Sequence, residues 1–111
     1  MTPEHDPTGR QPHDPGAKLD AGKLRTGLVV MGFSRALAAV AAVGTYGARK
    51  YRPNGWRTVP EGQARYTDAM FRHLLEEAES PDDDESGLPH AAHTAWNALA
   101  RLELMLQDSP D

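Results

Sequence analysis

The chain has 111 residues, 39% of them hydrophobic and 6% aromatic, with 12 basic and 16 acidic side chains and a formal net charge of -4. That length supports one small domain with a thin core, so help from a second subunit is expected. There is no cysteine, which excludes a disulfide framework and thiolate chemistry, and the acidic balance does not favour a general nucleic-acid binder.

The first fifteen residues place Pro3, Pro7, Pro12 and Pro15 among polar side chains and read as a disordered leader, in which His5 and His13 are given no role. They offer neither a basic n-region nor an apolar core, and no run reaches transmembrane length, so a cytoplasmic setting without membrane contact is expected. Residues 16–107 read as the folded domain and 108–111 as a frayed tail. Lys18 to Arg25 forms a loop of alternating charge around Gly22. It is either a solvated turn or a place where Lys23 and Arg25 reach a phosphate.

From about Met31 to Tyr46, Phe33, Leu37, Val40 and Val43 recur at helical spacing among small alanines. A slim helix of this kind suits close packing within a bundle or across a dimer seam. Tyr46 to Trp56 is a loop dense in aromatic and cationic groups, with a Pro-Asn-Gly turn at its centre. Trp56 either plugs one end of the core or offers a face to a base, while Arg49 or Lys50 meets phosphate.

A second helix is predicted from Pro60-Glu61 to about Glu79, with His73 and Glu77 four apart on one face. Glu76, Glu77 and Glu79 crowd its C-terminal end, where the helix dipole disfavours negative charge and a divalent cation would relieve it. Asp82 to Glu85 extend the acidic run beyond Ser80-Pro81. The separation of these acids from the basic first half suits an anion held between cations and metal-loaded carboxylates, or chains packed head to tail.

A third helix is predicted from Leu88 or Pro89 to Leu106, with Trp96, Leu99, Glu103 and Leu106 as its packing edge. On it His90, His93 and Asn97 stand above one another on an Ala-rich surface. The stripe is either a solvated face or part of a site for a metal-bound polyphosphate. No strand-like alternation occurs, so the predicted fold is an all-α bundle of three to four helices.

Four blocks in order carry a family resemblance: Lys-x-Asp-x-Gly-Lys-x-Arg at Lys18 to Arg25, Tyr-Gly-Ala-x-Lys-Tyr with a later Asn and Trp at Tyr46 to Trp56, Arg-His-Leu at Arg72 to Leu74, and Glu-Ser-Gly-Leu-Pro-His-x-x-His-x-x-x-Asn at Glu85 to Asn97. The chain resembles, over about Gly16 to Leu104, the N-terminal domain of phage and prophage dATP/dGTP diphosphohydrolases, related to MazG-like all-α nucleotide pyrophosphatases. The resemblance implies a helical, usually oligomeric domain that cleaves a purine deoxynucleoside triphosphate between its α- and β-phosphates with Mg2+ or Mn2+. One departure stands out. Glu76 and Glu79 match the first Glu-x-x-Glu of the MazG-type pattern, but no Glu-x-x-Asp follows on the third helix.

The chemistry of that reaction suggests roles. Glu76, Glu77 and Glu79 are candidate metal ligands, with Asp84 and Glu85 in reserve. His93 or His73 is the candidate for orienting or deprotonating water, with Glu77 also a catalytic candidate. Lys23, Arg25, Lys50 and Arg72 are candidate phosphate clamps, and Asn97 and Trp56 candidate contacts to the rest of the nucleotide. A non-catalytic helical interaction or nucleotide-binding module is the competing class. A histidine-aspartate hydrolase is weaker, because the adjacent pairs His5-Asp6 and His13-Asp14 lie in the leader.

Overall fold

The computed structural model describes residues 3–108, and these fall into two units, Met1–Gly32 and Phe33–Asp111. Within the first unit, Asp6 anchors the proline-rich segment. Its buried carboxylate accepts the Thr8 N–H at 2.6 Å and the Lys18 N–H at 2.7 Å, tying the proline-rich segment to the charged loop. A carboxylate that gains this many donors is stabilised in its charged form. The Thr8 hydroxyl contributes most to holding the Asp6 carboxyl below its ordinary range, followed by the Lys18 N–H. The first unit ends in a short helix, α1 (Thr26–Gly32), whose Leu28, Val29, Val30 and Met31 are all exposed.

The second unit holds α2 (Ser34–Lys50), a 3-10 turn (Gly55–Thr58), α3 (Gly62–Glu77) and α4 (His90–Asp108). Among the described residues there is no strand, only an isolated bridge between Asp82 and Pro89, so the fold is all-α. Alanine-rich sequence sustains α2, and Arg49 and Lys50 oppose the negative end of its dipole. The chain then turns at Asn54, which takes the left-handed conformation at φ 58°. Glu61 is left-handed too, at φ 56°, which delays α3 to Gly62 rather than Pro60. No single helix among the described residues is long and apolar enough to cross a membrane.

Both α3 and α2 pack on α4. Glycines permit the approach: a Cβ built on Gly62 would lie 2.8 Å from Leu104, and one on Gly44 would lie 3.3 Å from the Trp96 indole nitrogen. A polar seam runs beside the first contact, with Arg101 donating to Thr67 at 2.8 Å and Gln63 to Asp108 at 2.7 Å. At the α2 end, Trp56, Tyr66 and Trp96 meet edge to face with centroids 5.6 to 6.5 Å apart. Trp56 thus belongs to an aromatic cluster, with the Tyr66 hydroxyl donating to its carbonyl at 3.0 Å.

The buried apolar side chains of this unit are Val43, Ala92, Ala100 and Leu104, and beside them lie buried His90, His93 and Asn97. The buried face of α4 is therefore the polar stripe continued by Ala100 and Leu104. The expected packing edge is corrected accordingly: Leu99 and Leu106 stay exposed, as does Leu102. A polar stripe can face inward only where partners satisfy it. For the two histidines those partners come from α3 and from the loop before α4, and for Asn97 from the His93 carbonyl on its own helix.

Candidate functional site

The loop between α3 and α4 folds back on itself because Asp83, Ser86 and Gly87 are spaced for a tight turn. The Asp83 carboxylate accepts the Ser86 N–H at 2.8 Å, and the Ser86 Oγ accepts the Leu88 N–H at 3.1 Å. Gly87 adopts a left-handed φ of 72° and donates its N–H to the Asp83 carbonyl at 2.8 Å. The Leu88 carbonyl accepts the Asp83 N–H, and the Pro81 carbonyl accepts that of His90. Closed in this way, the loop turns Asp83 and Ser86 toward the first turns of α4.

Three imidazoles meet there. His73 on α3 lies parallel to His93, with ring centroids 4.4 Å apart and planes 8° from parallel. On its other contact, His73 Nδ1 is 2.9 Å from His90 Nδ1. His93 Nε2 is 2.7 Å from the Ser86 hydroxyl and 3.8 Å from Asp83 Oδ2. Glu76 Oε2 approaches His90 Nδ1 to 3.7 Å. One donor atom from each of His73, Glu76, Asp83 and His90 lies within 4.8 Å of all the others, a geometry open to a metal ion.

The electrostatics follow from burial and neighbours. Burial lowers the proton affinity of His73, with His90 and Arg72 acting in the same sense and Asp83 and Glu76 opposing. Burial lowers that of His93 as well, reinforced by His73 and opposed by Asp83. For Asp83, burial would raise the carboxyl, but the Ser86 hydrogen bonds and the nearby imidazoles outweigh it and hold the group below its ordinary range. The arrangement thus favours neutral His73 and His93 rings beside an ionised Asp83 carboxylate.

A cleft of about 1030 Å³ opens beside this cluster, with His73, His93 and Asp83 on its wall. Lys50, Arg52 and Arg72 also line it, and among the described residues neither Arg52 nor Arg72 has a carboxylate partner. Lys50 is paired with Glu85, whose hydrogen bond raises the lysine's proton affinity and in turn lowers the carboxyl. Tyr46 joins the same group: burial and its hydrogen bond to Glu85 raise its hydroxyl above the ordinary range. The volume is at the upper end of the range for small-molecule and cofactor sites, commonly about 300–1,000 Å³.

This cluster and cleft occupy the segment in which the resemblance is densest, and a family model described as "dATP/dGTP diphosphohydrolase, N-terminal" matches residues 13–110. The chain belongs to that family. A relative from Salmonella phage PMBT28 named dATP/dGTP diphosphohydrolase is 41% identical over 96 residues, covering 86% of this chain and 31% of its own length. The chain therefore spans about a third of that relative. No solved structure matches it.

Within this family domain, His73, His93, Asn97, Lys50, Arg72 and Trp56 all line the cleft. Asn97 turns its amide back to the His93 carbonyl at 2.8 Å, bracing its own helix. Of the carboxylates singled out in the sequence, Glu76 joins the imidazole cluster, whereas Glu77, Glu79 and Asp84 are exposed and outside it. Glu85 is engaged by Lys50 and Tyr46. Lys23 and Arg25 belong to the first unit, where Lys23 pairs with Glu4 at 3.4 Å. Asp83 belongs to the acidic run and Ser86 to the fourth sequence block, but neither stands among the candidate site residues read from sequence. The Asp-x-x-Ser-Gly spacing was the available signal, because an Asp accepting the N–H three residues on would single out one acid from the run.

Proposed function

We propose that this domain binds a purine deoxynucleoside triphosphate in the cleft of the second unit and hydrolyses it between the α- and β-phosphates. The products are the deoxynucleoside monophosphate and pyrophosphate, with water adding to the α-phosphorus as its bond to the bridging oxygen breaks. The observation that carries this reading is the imidazole and carboxylate cluster on the wall of a cleft that also bears Lys50, Arg52 and Arg72. The printed name of the phage relative supplies the substrate class.

The donor set of His73, Glu76, Asp83 and His90 fits a divalent cation. A bound ion would neutralise triphosphate charge and acidify water. The chain's own residues supply the rest. Arg72 and Arg52 meet phosphate oxygens, and arginine does so with paired N–H donors. His93, kept neutral by its burial, accepts a proton, and Ser86 holds its ring in place. Self-association belongs to the same proposal, because Leu99, Leu102 and Leu106 leave an apolar strip exposed along α4.

Incubating the protein with each deoxynucleoside triphosphate and Mn2+ or Mg2+, then separating the products by chromatography, tests the reaction. Monophosphate with pyrophosphate from dATP or dGTP, lost on chelation, is the expected result. Orthophosphate release contradicts cleavage between the α- and β-phosphates. A second reading has its own support: the chain spans 31% of its phage relative, so it can serve as a nucleotide-binding domain without turnover. Binding of dATP with no product under any of these conditions favours that reading.

A further inference from the structure

The donor atoms of the imidazole cluster discriminate among cations. The geometry points to a single site in which His73 Nδ1 and His90 Nδ1, with Glu76 and Asp83, take a later first-row ion such as Zn2+ in preference to Mg2+. This deepens the proposed function and rests on it for the purpose of the ion, but the binding is measured without nucleotide.

Three observations carry it. First, the two Nδ1 atoms are 2.9 Å apart. Nitrogen ligands at about 2.1 Å from one metal stand about 3.4 Å apart at the tetrahedral angle, so a shared ion fits once the two rings separate by about 0.5 Å. Second, the donors are two imidazoles and two carboxylates. Mg2+ is hard, prefers oxygen and dehydrates reluctantly, whereas imidazole suits the later first-row ions. The acidic helix end considered from sequence would instead offer oxygen alone, through Glu76, Glu77 and Glu79.

Third, the ligand-bearing groups are braced from outside the set. His93 stacks on the His73 ring at 4.4 Å, and Ser86 fixes the Asp83 carboxylate through its N–H at 2.8 Å. His90 is buried, which restricts its ring to the position facing His73 and Glu76. Braces of this kind orient ligands and strengthen binding. His93 is thus a positioning residue for the ion, whatever it does for water.

Titration calorimetry of the chelated protein with manganese, zinc and magnesium chlorides gives the first test, and histidine 15N NMR during the zinc titration gives the second. The expected result is one ion per chain, with Zn2+ bound at least about a hundredfold more tightly than Mg2+ and Mn2+ between the two. The Nδ1 resonances of His73 and His90 move together, and those of His5 and His13 do not. Glu76→Gln, at an exposed position that leaves folding intact, weakens Zn2+ by about tenfold or more. His5→Gln combined with His13→Gln leaves it unchanged. Equal affinity for Mg2+, or zinc shifts confined to His5 and His13, overturns the inference. So does a Glu76→Gln protein with undiminished zinc affinity. Zinc binding as expected without hydrolysis of any triphosphate would sink the catalytic reading and leave this one standing. Hydrolysis supported by Mg2+ with no ion at the imidazoles would do the reverse.

Discussion

His73 and His93 face each other ring to ring at 4.4 Å, although they come from different helices. Stacking at that distance leaves no room for water between the rings, and it makes protonation of either one unfavourable for the other. Both groups are held below their ordinary proton affinity, burial being the largest cause in each case.

The sign of the resulting pH dependence follows. A histidine whose folded affinity is depressed binds protons more readily when unfolded, so its stability contribution is complete above the unfolded pKa of about 6.5 and declines as pH falls toward the folded value. Asp83 and Glu76 soften the effect at His73, while His90 and Arg72 add to it. In chelated protein the melting temperature is therefore expected to drop between pH 8 and pH 5. A melting temperature that stays level or rises over that range contradicts the buried neutral cluster.

The same burial changes what His93→Ala should do. From sequence, a polar stripe residue is expected to affect activity with little cost in stability. Yet His93 is only 8% exposed and holds both the His73 stack and the Ser86 hydroxyl. Leaving buried polar partners unmatched costs about 1–3 kcal/mol, so His93→Ala is expected to lower both melting temperature and turnover. Measuring both on one preparation is the check. A variant with wild-type stability would show that the stripe is not the buried face of α4.

The helical periods of α2, α3 and α4 were legible because apolar residues recur at threes and fours and proline or glycine marks the breaks. Which face of α4 turns inward was not. Trp96, Leu99 and Leu106 outweigh His90, His93 and Asn97 on any hydrophobic count, and only the matching polar groups of His73, Asp83 and Ser86 reverse the choice. Those partners lie 7 to 20 residues away in the chain, beyond what local periodicity can report. The resemblance found the right segment, and the choice among adjacent acids depended on a turn that side-chain hydrogen bonds create.

Close packing of α2 on α4 predicts the effect of filling Gly44. A Cβ there already meets the Trp96 nitrogen at 3.3 Å, and Trp96 is fixed in turn by Trp56 and Tyr66. Gly44→Leu is expected to cost about 1–3 kcal/mol through overpacking, read as a lower denaturant midpoint. An unchanged midpoint would mean that the two helices do not approach here in solution.

Exposed leucines predict assembly. Leu102 and Leu106 border an apolar groove with Val40, Ala41 and Leu99, combining the alanine-rich helix with the strip on α4. Light scattering at micromolar concentration is expected to give a mass of at least two chains, with Leu102→Glu shifting it toward one. A single-chain mass for the unmodified protein would remove self-association from the proposal.

Glu85 offers the sharpest separation between the acidic run as metal ligand and the acidic run as partner for cations. It is bound by Lys50 and Tyr46 at the cleft and stands outside the imidazole cluster. Being exposed, the Lys50 pair contributes little to stability, within about 1 kcal/mol. Lys50→Ala is therefore expected to keep the melting temperature while weakening dATP binding about tenfold, the loss expected for one charge-assisted contact to phosphate. Glu85→Gln should leave Mn2+ affinity unchanged and release Lys50 to the phosphates, so dATP binding holds or tightens. Loss of Mn2+ affinity in Glu85→Gln would return Glu85 to the metal and place the nucleotide's charged end against the loop instead of the α3–α4 imidazoles.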